Sequence, residues 1–136
     1  MQFLQPDVSH AGGIMNLKKI GAMAQAKHVA FAPHNPSGPI ANAANLQLAA
    51  CMPNFEILET MITDIPWRKE ITNENLTFRD GCVVIPDAPG LGIELNEEEC
   101  LKHPFSPKYL RHYDGTLTNI RPAESDIIYF YNGMEK

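Results

Sequence analysis

The way apolar runs alternate with helix-spaced segments over the first sixty residues constrains this chain more than any other feature. "QFLQPDV" is a short strand candidate. "GGIMNLKKIGAMAQAK" follows, with Ile14, Leu17, Ile20 or Gly21, and Ala24 three to four residues apart, the spacing of one helix face. "HVAFA" is the next strand and "GPIANAANLQLAACM" the next helix. Pro39 suits its first turn, where an amide hydrogen has no intrahelical partner, and Ile40, Ala43 or Ala44, Gln47 and Cys51 recur on one side. "NFEILE" closes the set as a third strand. Each crossover is long enough to carry a helix, which requires parallel strands, so the expectation is an α/β layered fold or barrel.

After Glu59 the texture changes. "PWRKEI" and "NENLTF" are polar and irregular, and Trp67 reads as a cover for the layer beneath rather than a pocket wall. "TFRDGCVVIP" signals a hairpin, because Asp80-Gly81 can supply the positive φ angles of a tight two-residue turn. Asn96 caps a short helix in "EEECLKH", with Glu99 as its capping-box partner. "SDIIYFYN" is a last strand candidate. The expected division is a β/α portion over residues 1–60 and a β-rich tail over 61–136.

Composition removes several classes of function. With 44% hydrophobic and 20% charged residues over 136 positions, the chain belongs with soluble globular proteins. Its net charge of −5 and the lack of any basic run denser than "NLKK" argue against a nucleic-acid partner. Cys51, Cys82 and Cys100 are odd in number and without CxxC spacing, which fits a reducing cytoplasm better than a disulfide framework or a zinc site. The longest uncharged stretch, His28 to Phe55, is broken by prolines and polar residues, so no membrane span is expected. "MQFLQPD" has no basic lead-in and no long apolar core, so it is not read as a signal peptide. It looks instead like the middle of a buried strand, and a chain that starts inside its own core is expected to be a piece of something larger.

Parallel sheets gather their chemistry where strands end. The three strand candidates each offer one ionisable residue at that edge: Asp7, His34 and Glu59. An imidazole exchanges a proton near neutral pH, and a neighbouring carboxylate fixes its tautomer. Asp7 and His34 would form such a dyad, while Glu59, if buried, could hold a proton for a substrate oxygen. Pro33 and Pro36 would keep the histidine-bearing loop in one shape. Each residue also has a plainer reading: His34 as a hydrogen-bonded structural residue, Asp7 as a turn former, Glu59 as a solvated strand end. The repetition at three equivalent positions is what lifts the trio. Gly12-Gly13 reads as a tight turn more readily than as an anion site, and His10, His28, His103 and His112 have no metal-like spacing.

"QPDVSHAGGI", "APHNPSGPI", "FEILE", "PGLGIELNEE" and "HYDGTLTNIRP" together resemble the enolase superfamily, in its mandelate racemase/muconate lactonizing-like group, and within it the acid-sugar dehydratases of galactonate type. The resemblance implies that residues 1–60 are the last three strand–helix units of a modified (β/α) TIM-type barrel, and that the tail returns to pack on a capping domain absent here. It assigns Asp7 and His34 to an acid/base dyad and Glu59 to stabilising an enediolate. It implies Mg²⁺ as cofactor, with ligands on earlier strands outside this chain, a sugar acid as small-molecule substrate, and a homo-oligomeric parent. The expected reaction removes an α-proton and eliminates a β-hydroxyl as water, giving a 2-keto-3-deoxy acid. A racemase or cycloisomerase using the same dyad, or a catalytically inactive fragment, are the alternatives. Three strands cannot close a barrel, which needs roughly 250 residues, so the isolated chain is not expected to be competent.

Overall fold

A computed structural model of the chain describes residues 2–61, 66–73 and 76–106. The chain divides into two units, Met1–Lys102 and His103–Lys136, and the architecture below is that of the first. Its elements follow in the order β1 (Phe3–Leu4), α1 (Gly13–Gln25), β2 (Ala30–Phe31), α2 (Pro39–Cys51), β3 (Phe78–Arg79), β4 (Cys82–Val83) and α3 (Glu97–Lys102).

β1 and β2 are parallel, with Phe3 beside Ala30 and Leu4 beside Phe31, and a further parallel bridge joins Asp7 to His34. All three pairs share an offset of 27 residues, so one register runs from the strands to the loops beyond them. Within β2 the backbone alternates sides. Ala30 and Ala32 donate to Gln2 and Leu4 carbonyls, each at 3.0 Å, whereas Phe31 donates to Asn54 at 2.8 Å and accepts from Glu56 at 2.9 Å. The central segment therefore stitches a parallel neighbour onto each flank, as the alternation of the sequence implied.

The third strand is shorter than expected. Among the described residues "NFEILE" pairs only through a bridge between Phe55 and Phe31, and Ile57 is 65% exposed. Alternation supplies the reason. The next residue after Phe31 to face that flank is Pro33, which has no amide hydrogen to donate.

The core lies between this sheet and the two helices. It consists of Val8, Leu17, Phe31, Ala44, Leu48 and Met52, with Ala11, Ala41, Phe55 and Leu91 packed at its margin. On α1 the buried face is Leu17, Gly21 and Ala24, as the spacing predicts, but Ile14 is exposed. On α2 the expected face holds only in the middle. Ala43 and Ala44 are buried and Gln47 is half-buried, but Ile40 and Cys51 are exposed, while Leu48 and two asparagines, Asn42 and Asn45, are buried as well. Small apolar residues occupy nearly every side of "PIANAANLQLAAC", so periodicity alone could not select the buried one.

Gly12 and Gly13 have φ of 88° and 79°, the left-handed turn that swings the chain from the end of β1 into α1. The β3–β4 hairpin turns on Asp80 and Gly81, both with positive φ, as read from the sequence. Asn96 caps α3 by accepting the Glu99 amide at 3.2 Å, but the reciprocal half of the capping box is replaced. The Asn96 amide donates to Ile71, and the Glu99 carboxylate pairs with Lys102. That Asn96–Ile71 bond belongs to a short antiparallel contact, centred on Thr72 and Leu95, that the sequence did not reveal. The candidate strand "SDIIYFYN" lies outside the described residues. Among the described residues, no helix is long and apolar enough to cross a membrane.

Phe31 is fully buried and its backbone serves both flanks, so truncating its side chain tests the whole arrangement. Phe31→Ala is expected to lower stability by about 3–5 kcal/mol in urea unfolding at 25 °C. A loss below about 1 kcal/mol, the range of a surface change, would place the core elsewhere.

Candidate active site

The loops that leave the ends of β1 and β2 carry the site. Asp7 begins the turn leading to α1, with its carbonyl accepting the His10 and Ala11 amides at 3.2 and 2.8 Å. Its side chain completes the turn locally, Oδ1 accepting the Ser9 amide at 2.7 Å. This holds a carboxylate that is only 8% exposed in one orientation. Across the register, His34 Nδ1 lies 2.9 Å from Asp7 Oδ2. His10 Nδ1 approaches Oδ1 at 3.1 Å. One buried carboxylate thus joins two imidazoles, whose side chains are 50% exposed at His34 and 79% at His10.

Burial alone would push the Asp7 carboxyl up. The hydrogen bonds from His34, from the Ser9 amide and from His10 outweigh that effect and hold it below its ordinary value of 3.8. With Nδ1 of His34 turned to the carboxylate, Nε2 is the ring nitrogen left to exchange a proton.

Glu59 joins the group less directly than the strand-end reading supposes. The bridge between Phe31 and Phe55 sets an offset of 24 on this flank, which puts Glu59 level with Asn35 rather than His34. The Asn35 amide donates to Glu59 Oε2 at 3.0 Å, and Asn35 Nδ2 donates to the Glu59 carbonyl at 3.0 Å. Glu59 is exposed, so among the described residues it is not the buried group that the proton-holding reading called for. The structure brings Asp7 and His34 into contact and sets Glu59 beside the residue that follows His34.

Sequence reasoning missed His10, Asn35, Asn42 and Thr60. His10 was visible as an imidazole three residues after Asp7. Asn35 was visible only as a polar residue inside a proline-rich loop, and nothing in the spacing announced that it is 1% exposed. A cleft of about 750 Å³ opens nearby, lined by Val8, Ser9, Ile14, Pro39, Thr72 and Leu95 among others; it is mainly apolar and does not include the carboxylates or His34.

Among the described residues no three His, Cys, Asp or Glu side chains form a group able to hold a metal ion. The contacts among Asp7, His10 and His34 do not suit Mg²⁺. Both imidazoles turn Nδ1 to Asp7, whose oxygens already accept these contacts and the Ser9 amide, whereas Mg²⁺ requires a near-octahedral set of oxygen ligands.

Residues 1–99 match the model of the enolase C-terminal domain-like family. The chain belongs to that family. It is 37% identical over 124 residues to a D-galactonate dehydratase family member of Streptomyces bingchenggensis, an alignment covering 88% of this chain and 30% of the relative. Among solved structures, it is similar to a mandelate racemase/muconate lactonizing enzyme from Jannaschia sp. CCS1, with a TM-score of 0.71 and 35% identity over 79% of this chain and 28% of that one. A magnesium- and fumarate-bound structure from Burkholderia xenovorans strain LB400, named a candidate L-alanine-DL-glutamate epimerase, gives a TM-score of 0.64 and 37% identity over 68% of this chain and 23% of that one. The chain therefore spans less than a third of the length of each protein it matches here.

The lowered Asp7 carboxyl makes an acid-dependent prediction. Its folded value lies below the unfolded one, so its contribution to stability is fully present above pH 3.8 and is lost as pH falls through the folded value. Asp7→Asn removes that contribution. In urea unfolding between about pH 6 and pH 2, the stability gap between wild type and variant is expected to be widest at the upper end and to narrow on acidification. A gap independent of pH would remove the ionised contact.

Proposed function

We propose that this chain is the C-terminal part of a sugar-acid dehydratase of the enolase superfamily. Residues 1–60 would supply the last three strand–helix units of its barrel, and residues 61–136 a tail against its capping domain. The observation that carries the reading is the 2.9 Å contact between Asp7 and His34 at paired strand ends. A D-galactonate dehydratase family member being 37% identical supports the choice of reaction.

The reaction converts a 2,3-dihydroxy acid to a 2-keto-3-deoxy acid. The proton on C2 is lost to a base, the C3 hydroxyl departs as water, and the resulting enol tautomerises to the ketone. In this reading His34, oriented by Asp7, gives the Nε2 proton to the departing hydroxyl, and Asp7 stabilises the imidazolium before transfer. Glu59, protonated once the substrate covers it, would donate a hydrogen bond to the substrate carboxylate, where negative charge accumulates once C2 is deprotonated. The base for the C2 proton lies outside the described residues, as do the ligands for the Mg²⁺ that the resemblance implies, and no step above is routed through the ion.

The Burkholderia neighbour supplies an observation in favour of a second reading, in which the same dyad returns a proton to carbon and isomerises its substrate. Incubating the full-length protein with a panel of aldonic acids separates the two. Dehydration predicts loss of one water and a 2-keto-3-deoxy product, whereas an isomer of unchanged mass supports the epimerase reading. His34→Ala is expected to lower kcat by about 10²–10⁴-fold, the usual range for general acid–base catalysis. Unchanged turnover would remove His34 from the mechanism. Residues 1–136 alone are expected to show no turnover.

A further inference from the structure

We infer that Asn35 is a positioning residue for Glu59, acting through a buried amide tie that also takes in Asn42 and Thr60. The inference rests on the proposed role of Glu59 at the substrate carboxylate, but the tie itself is a matter of geometry. Asn35 and Asn42 are each 1% exposed. The Asn35 side-chain nitrogen donates to two oxygens, the Glu59 carbonyl at 3.0 Å and Asn42 Oδ1 at 3.1 Å. Asn42 Oδ1 also accepts the Thr60 hydroxyl at 2.9 Å. The Asn35 backbone amide meanwhile holds Glu59 Oε2 at 3.0 Å.

These bonds connect three segments that the sheet no longer joins. Asn35 belongs to the loop of His34, Asn42 to the second turn of α2, and Glu59 and Thr60 to the third extended segment, past its last ladder contact. The single –NH₂ group fits two acceptors at once, which only an amide nitrogen does among residues of this shape. Among the described residues the Asn35 side-chain oxygen meets no hydrogen-bond donor, so the residue serves here through its donors. An aspartate would keep the shape and lose both donors, facing a carbonyl oxygen and an amide oxygen with a carboxylate. Orientation of Glu59 relative to His34 is the property this tie controls, and a small misplacement of a reacting group is costly in rate.

The test uses the full-length protein. Asn35→Asp is expected to lower kcat by up to about 10²-fold while KM moves little, because the misplaced group acts in the transition state. The pH limb belonging to the Asp7–His34 pair should stay in place. Since a buried carboxylate can prevent folding, Thr60→Val and Thr60→Ser form the second arm. Valine keeps the shape and should lower kcat several-fold, about what loss of one hydrogen bond predicts, while serine keeps the hydroxyl and should restore it. Equal kcat for valine and serine, or wild-type kcat in folded Asn35→Asp, overturns the inference. A wild type that turns over no sugar acid counts against the proposed reaction instead. In that event the tie is read by NMR: the Asn35 backbone amide proton should titrate with the Glu59 carboxylate, and that titration should vanish in Glu59→Gln. An amide insensitive to Glu59 overturns the inference without reference to activity.

Discussion

Phe31 is the residue on which this unit depends, because its backbone and its side chain do different jobs at one point. The backbone reaches sideways to Asn54 and Glu56, while its neighbours Ala30 and Ala32 reach the opposite way to Gln2 and Leu4. The ring, with no exposed surface, is enclosed with Leu17 of α1 and Leu48 of α2. Parallel strands rarely survive with an uncovered face. Here the covering helices and the stitching of three segments converge on one position near the middle of the fold.

The alternation of strands and helices was legible in the sequence because each signal was local. Gly12-Gly13 marked a turn, Pro39 a helix start and Asp80-Gly81 a hairpin, and each behaves as its backbone chemistry requires. What was not legible depended on register. Pro33 was plain to see, but which flank it faces follows only once Phe31 is known to point toward Asn54. The buried face of α2 was hidden for a different reason. Asn42 is carried inside by bonds to Asn35 and Thr60, residues that no helical periodicity connects to it.

The candidate site divides along the same line. Asp7 and His34 fall at strand ends one crossover apart, and the 27-residue register turns that spacing into contact. Glu59 was chosen by the same logic, yet the other flank runs at an offset of 24, so Asn35 takes the place beside it. Adjacent strands share an edge without sharing a register. His10 shows the opposite case, since a turn rather than a strand brings it to Asp7. The outcome is a buried carboxylate with several donors around it, an arrangement that favours its charged form.

The two prolines at the strand ends have a consequence for spacing. A zipped sheet keeps neighbouring chains roughly 4.7–4.9 Å apart, too close to admit anything between them. Pro6 withholds a hydrogen on one flank and Pro33 on the other, just where Asp7 and His34 begin. From there on polar side chains take over much of the fastening, Asp7 to His34 on one flank and Asn35 to Glu59 on the other. What lies beyond the prolines then takes its spacing from the polar groups that join it, and not from the weave.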